Sequence, residues 1–522
     1  MTRQQRRRLV PWAVGMVGVL WFHRAAIFSV FDRVQGIRSD TRLVVFIHEH
    51  WWQVVRGEVS WSSPRFFFPA TGTLGYSDTF FLDQLFYVPL RALGFGPFTS
   101  FSLTMIVMSS LGYVGYYLLL RRVVSSSVLV ATLGAGIAAF GNALFTQTTH
   151  PQLMNVMWLP WVVLGVAAAL RASGWRSLMM SAVSGLGAAL VLWSAFYVAW
   201  FAIVAALIAG LALVFIHGPS RVWRGLLSRW QLAGAWLVGW GAGLVPFFLT
   251  YGPVLAEDRE RSLAESLSFA PKLVDLVRVG EPNMVWGWIL GDAAGGVFGR
   301  ELSVGFPLAF SVVAVAAMIR SVRTRDLPGI ALLSSILILL VLPMQFGGRS
   351  LWELAWRVIP GASAIRVTSR AWLLVVPLVV VLVAREWGRR SSRTTWPRGA
   401  TVLVVSFLVL EQLSWSTVWE VRRHEEEELV RSLGPPPASC ETFFASGEPG
   451  TVLFNPTHVD AMMIAMKFGI PTVNGYSGLS PLDYEIDVSS PDYEAQVAEW
   501  LTGRGVETTT CVADLRVGGW RD

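Results

Sequence analysis

Long apolar runs dominate the chain, and its polar residues gather between them. Such runs lie at 11–31, 98–120, 126–145, 151–170, 177–195, 197–216, 232–250, 303–319, 328–344, 371–385 and 400–416. A helix needs about 20 apolar residues to cross hydrocarbon, so the pattern predicts about eleven membrane spans. The stretch 177–216 suits a helical hairpin, with the amphipathic ring of Tyr197 near its turn. The first run follows MTRQQRRRLVPWAVG, with no small-x-small cleavage site before Asp32. It therefore reads as a retained span rather than a signal peptide.

The charges between runs then orient the bundle. Arg3, Arg6, Arg7 and Arg8 precede the first run; Arg121 and Arg122 follow the second. Arg171 and Arg176, then Arg221, Arg224 and Arg229, then Arg320, Arg323 and Arg325 fill later short connectors. Arg385, Arg389, Arg390, Arg393 and Arg398 stand between the last two runs. An eleven-span arrangement puts all of them on one face, and basic connectors mark the cytoplasmic side. The N-terminus is then cytoplasmic. The C-terminus and the segments 32–97, 251–302 and 345–370 are extracytoplasmic.

Composition agrees. The chain has 522 residues, 53% hydrophobic and 15% charged, against about 25% charged in ordinary soluble proteins. Its net charge of +7 is largely accounted for by the inner connectors, which also suit anionic lipid headgroups. No nucleic-acid partner is implied. No zinc-finger spacing, phosphate-binding glycine loop or dinucleotide fingerprint occurs, so no nucleotide or redox cofactor is expected. Arginine far outnumbers lysine, which is confined to Lys272 and Lys467, and glycine is abundant. That bias hints at a GC-rich bacterial genome and hence a bacterial plasma membrane.

Candidate chemistry lies in the outer segments. RSDTRLVVFIHEHWW (38–52) gathers acids, histidines and arginines in an otherwise charge-poor chain. Asp40, just beyond the first run, is the first candidate for a general base; its bland alternative is a solvated surface acid. Residues 41–56 suit an interfacial helix with Trp51, Trp52 and Val55 toward lipid. His48 and His50 point to different faces of such a helix, so no metal motif is read there. His48 reads chiefly as interfacial or structural, and secondarily as a substrate contact. In SWSSPRFFFPATGTLGYSD, Ser77 or Asp78 suits a cap for the helix that follows; Asp78 is also the second candidate acid. Trp286 offers an aromatic face for a sugar, or for the membrane interface. In GGRSLWELAWRVIPG, Arg349, Glu353 and Arg357 share one face of an expected interfacial helix. Arg366 and Arg370, one turn apart, make a candidate phosphate clamp, because guanidinium offers rigid parallel donors.

The chain divides into a bundle, 1–416, and a tail, 417–522. The tail predicts a charged helix, a strand at TVLFNP, a helix in HVDAMMIAMKFG, another in EAQVAEWLTGRG and a closing strand in TTCVADLRV. It suits a small extracytoplasmic α/β appendage. Cys440 and Cys511 flank it and would be free to bond in oxidising surroundings. His458, Asn474 and Tyr476 add polar groups, with no catalytic role expected of them.

Several stretches carry a family likeness. They are SD at 39–40, SWSSPRFFFPATGTLGYSD, HPQLMNVMWLPW at 150–161, RVIPGASAIRVTSRAW at 357–372 and PTVNGYSGLSP at 471–481. With these the chain resembles bacterial polytopic proteins of GT-C glycosyltransferase architecture, some of them grouped as YfhO-like. The resemblance implies an all-α membrane bundle that moves a sugar from a polyprenyl-phosphate donor to an extracytoplasmic glycan, lipid or protein. It also implies an active-site acid in the first outer loop, where Asp40 stands. Some branches carry adjacent paired acids there; here the neighbours are Ser39 and Thr41, and a divalent cation is left open. The alternative expectation is non-enzymatic: transport of a lipid-linked saccharide, or a part in envelope-glycan assembly.

Overall fold

The computed structural model describes residues 3–257, 261–291, 301–390, 398–415, 420–447 and 456–521. A helix occupies each expected span position. Among the described residues, seven helical stretches are long and apolar enough to cross a membrane: Pro97–Val123, Val128–Thr146, Pro151–Arg171, Gly174–Ser194, Phe196–His217, Trp230–Ala256 and Thr368–Glu386. The other positions carry less. Leu9–Phe22 and Leu327–Val341 are short apolar helices, and Leu308–Arg323 and Arg398–Leu410 have 16 and 13 residues. At 1.5 Å per residue these last two reach only about 20–24 Å. The chain is a multi-pass helical membrane protein.

Small residues let the spans close on one another. Gly174–Ser194 packs along Trp230–Ala256, where Gly185 lies against the Trp236 backbone and Gly239 against Ala182. A side chain at either glycine would push the helices apart, the usual reason for small residues at membrane helix contacts. In the expected hairpin 177–216, Ala195 alone stands between the helices Gly174–Ser194 and Phe196–His217. At the arginine-rich connectors, Arg320 pairs with Glu386 at 2.9 Å and Arg385 with Asp326.

Two expected interfacial helices differ. Arg38–Val55 is mostly buried. Trp51 donates from Nε1 to the Thr79 carbonyl at 2.7 Å, so this ring faces protein rather than lipid; Val55 is exposed. The second helix begins only at Trp352, because Arg349 is taken into a short hairpin with Phe346. Glu353 accepts from the Ser350 N–H at 3.1 Å.

The tail is anchored to the first loop. Its sheet pairs Thr442–Ser446 parallel with Thr510–Asp514, which pairs antiparallel with Gly519–Arg521. Pro456–Phe468 and Tyr493–Thr502 are its expected helices. The strand expected at TVLFNP falls almost wholly outside the described residues. Cys440 and Cys511 are disulfide-bonded with Cα atoms 5.7 Å apart. Val421–Arg422 pairs antiparallel with Arg33–Val34. Arg42, fully buried, pairs with Glu426 at 3.2 Å and with Asp460. Trp500 donates from Nε1 to the Phe68 carbonyl at 2.8 Å.

Candidate active site

Asp40 lies in the first turn of the Arg38–Val55 helix, where unpaired N–H groups favour negative charge. His150 donates from Nδ1 to Asp40 Oδ2 at 2.7 Å, and its Nε2 lies 2.7 Å from Glu301 Oε1. The second contact occupies the opposite ring nitrogen. His150 precedes Pro151 in extended backbone, the conformation a following proline favours. Arg370, buried at the start of the Ala371–Arg390 helix, reaches Glu301 Oε2 at 3.3 Å and lies over the Tyr197 ring at 5.3 Å. Tyr476, from the tail, donates to Asp40 Oδ1 at 3.0 Å.

These contacts set the charges. Burial pushes the Asp40 carboxyl up, but the His150 hydrogen bond and charge, Tyr476 and Arg370 together hold it below the usual carboxylate range. Burial, and then Arg370, push His150 down; Glu301 and Asp40 overcome both, and its imidazole is raised above the ordinary histidine value. A ring facing a carboxylate on each nitrogen is a double donor, an imidazolium. Glu301 is held well below the usual range, burial being outweighed by Arg370 and His150.

Asp78 is different. The structure does not use it to cap the adjacent helix. Its Oδ1 accepts from the Phe196 N–H at 2.9 Å, capping the membrane helix Phe196–His217. Its Oδ2 has no partner among the described residues. Burial pushes its carboxyl up to about 6, with Asp83 adding to the rise, while Phe196 and Arg370 oppose it. Arg370 thus acts on Asp40, Asp78, His150 and Glu301 at once.

The two candidate arginines divide. Arg370 is spent inside the network. Arg366 is 42% exposed, lies over the Phe269 ring at 5.5 Å and touches Glu265 only at 4.0 Å. Its backbone N–H is fixed by the Tyr197 hydroxyl at 2.7 Å. The remaining candidates lie elsewhere. His48 is sealed among Phe80, Tyr87 and Phe101, with Nδ1 on the Val44 carbonyl at 2.8 Å and Asp83 3.7 Å from Nε2. That is the structural reading, not a substrate contact. Trp286 donates to Glu411 at 3.2 Å and packs edge-on to Phe407.

His150 and Glu301 join this network without having been singled out from sequence, and Tyr476 joins it although it reads from sequence only as a polar group of the tail. His150 and Tyr476 stand in two of the stretches that carry the family likeness; Glu301 carries no comparable signal. A divalent cation needs several donors converging on one point. Asp40 and Glu301 instead occupy opposite nitrogens of one ring, and no group of three His, Cys, Asp or Glu among the described residues is arranged to hold a metal.

No family model and no curated sequence matches the chain. Solved structures do. The apo oligosaccharyltransferase of Archaeoglobus fulgidus matches with a TM-score of 0.50 at 11% identity, over 97% of this chain and 69% of its own. The arabinofuranosyltransferase AftD from mycobacteria matches with a TM-score of 0.50 at 14% identity, over 86% of this chain and 30% of its own. The chain has the GT-C glycosyltransferase architecture. In this GT-C bundle the Asp40 network draws together the first loop, the 150–161 stretch, the start of the Ala371–Arg390 helix and the tail.

Proposed function

We propose that the protein is a membrane glycosyltransferase that moves a sugar from a polyprenyl-phosphate donor to an extracytoplasmic hydroxyl acceptor. The observation that carries this reading is two acids in opposite environments beside two arginines. Environments that push two carboxyls apart separate their roles. Asp78, raised to about 6 and with one oxygen free, suits the general base near neutral pH. Asp40, held ionised, supplies a fixed negative charge for the positive charge that develops on the sugar ring.

The step balances. The acceptor oxygen bonds to the anomeric carbon as its proton passes to Asp78. The bond from that carbon to the lipid phosphate breaks, and its electron pair leaves with the phosphate. Arg366, exposed, meets the departing charge, while Arg370 supports the pocket from behind. The lipid chain lies among the spans, and no metal-dependent step is invoked. The reading goes with eleven spans, arginine connectors inside and the tail outside.

The test uses purified protein in lipid with a panel of polyprenyl-linked sugars and envelope acceptors. Wild type should transfer sugar. Asp78→Asn should bind donor normally and lose about 10²–10⁴-fold in rate. Relocation of a donor across the bilayer with no transfer from any donor would leave a transporter instead.

A further inference from the structure

The tail enters the site at one strap, residues 474–478. Tyr476 Oη donates to Asp40 Oδ1 at 3.0 Å. The next residue, Ser477, donates from Oγ to the Tyr76 carbonyl at 2.9 Å, two positions before Asp78. Arg261 donates to the Gly478 carbonyl at 2.7 Å. One short strap thus touches both acid-bearing segments.

Its other end is fixed to the tail's sheet. Asn474 is buried; its Oδ1 accepts from the Ala445 N–H at 2.8 Å and its Nδ2 donates to Tyr493 at 2.9 Å. Phe67 N–H donates to the Asn474 carbonyl at 3.0 Å. A Cβ at Gly475 would collide with the Phe67 ring, so glycine is what lets the strap lie this close.

The groups that face Asp40 are His150, Arg370 and Tyr476, with Glu301 and Arg366 behind them. Tyr476 comes from the tail. Its phenol is pushed above its ordinary value, by burial first and then by the Asp40 charge, and so stays a donor.

We propose that Tyr476 is a positioning residue for Asp40 and that, through the 474–478 strap, the C-terminal unit is one wall of the active site rather than a separate module. The consequence for rate rests on the glycosyltransferase reading. The link to Asp40 does not, and has its own readout.

The carboxyl band that Asp40→Asn removes from the infrared spectrum reports the titration of Asp40 in the full-length protein. Tyr476→Phe takes away one donor to an ionised acceptor and should move that titration up by about one to two pH units. Ser432→Ala, in the same tail but bonded within its own helix to the Leu429 carbonyl, should leave it in place. If Tyr476→Phe fails to accumulate, Ser477→Ala is measured instead; freeing the strap from Tyr76 should raise the titration by a smaller step. An unmoved Asp40 titration in the folded variant overturns the proposal. Where wild type transfers sugar, Tyr476→Phe should lower kcat with the donor KM unchanged. A shifted titration in a protein that transfers nothing would keep the positioning role and reject the glycosyltransferase reading.

Discussion

At the scale of single residues, the site depends on how many donors each acid has. Asp40 has one on each oxygen and is held ionised. Asp78 has one donor, and burial pushes its carboxyl up to about 6. A base works only when deprotonated, so the transfer rate should fall about tenfold per pH unit below about 6 and level off above it. A rate–pH profile checks this, and a profile flat through pH 5–7 would remove Asp78 from the role. The arginines should separate as well. Arg366→Ala removes an exposed charged contact and should weaken donor binding about tenfold, with little change in melting temperature. Arg370→Ala leaves Glu301 short of a buried partner and should cost several kcal/mol of stability besides. Donor binding and thermal melting of the two variants, side by side, decide between a shared clamp and this division.

At the scale of elements, the Arg38–Val55 helix joins bundle and tail. Its alternation of charge and aromatic residues reads as interfacial from sequence, because a helix with a polar stripe suits a membrane surface. In the structure Arg38 and Arg42, at the start of the helix, are spent on the tail, while Glu49 pairs with Tyr87 and Arg91. Arg42 is 1% exposed between Glu426 and Asp460. Removing one member of a buried ion pair costs about 3–5 kcal/mol, because the partner charges stay buried. Arg42→Met should therefore loosen the tail, read as faster hydrogen exchange across Pro456–Phe468. Unchanged exchange there would show that the β pairing and Trp500 hold the tail without this pair.

At the scale of the whole molecule, the prediction concerns sidedness. On the proposed eleven-span arrangement with the arginine connectors inside, residue 522 is expected outside. A C-terminal reporter active only in the cytoplasm should stay silent. A strong signal would turn the Asp40 pocket to the inner face and end the reading of a lipid-linked donor presented outside. Seven helical stretches among the described residues meet the length a span requires, and seven and eleven spans are both odd, so the reporter tests the parity of the span count.

The sequence by itself determined the local and the additive: where apolar helices form, which connectors carry arginine, and that the tail mixes helix and strand. These depend on hydropathy and charge read a few residues at a time. It also pointed to Asp40, Asp78, Arg366 and Arg370, since acids and paired arginines are rare beside long apolar runs. Tertiary structure alone decided their surroundings. Asp40 meets His150 across 110 positions and Tyr476 across 436, separations at which no periodicity survives. The pattern of residues 77–78 suits a cap for the next helix, while the fold gives Asp78 to a helix 118 positions away. Whether a carboxyl is a base or a fixed charge depends on its burial and on the donors around it, and those are brought together only when the chain closes.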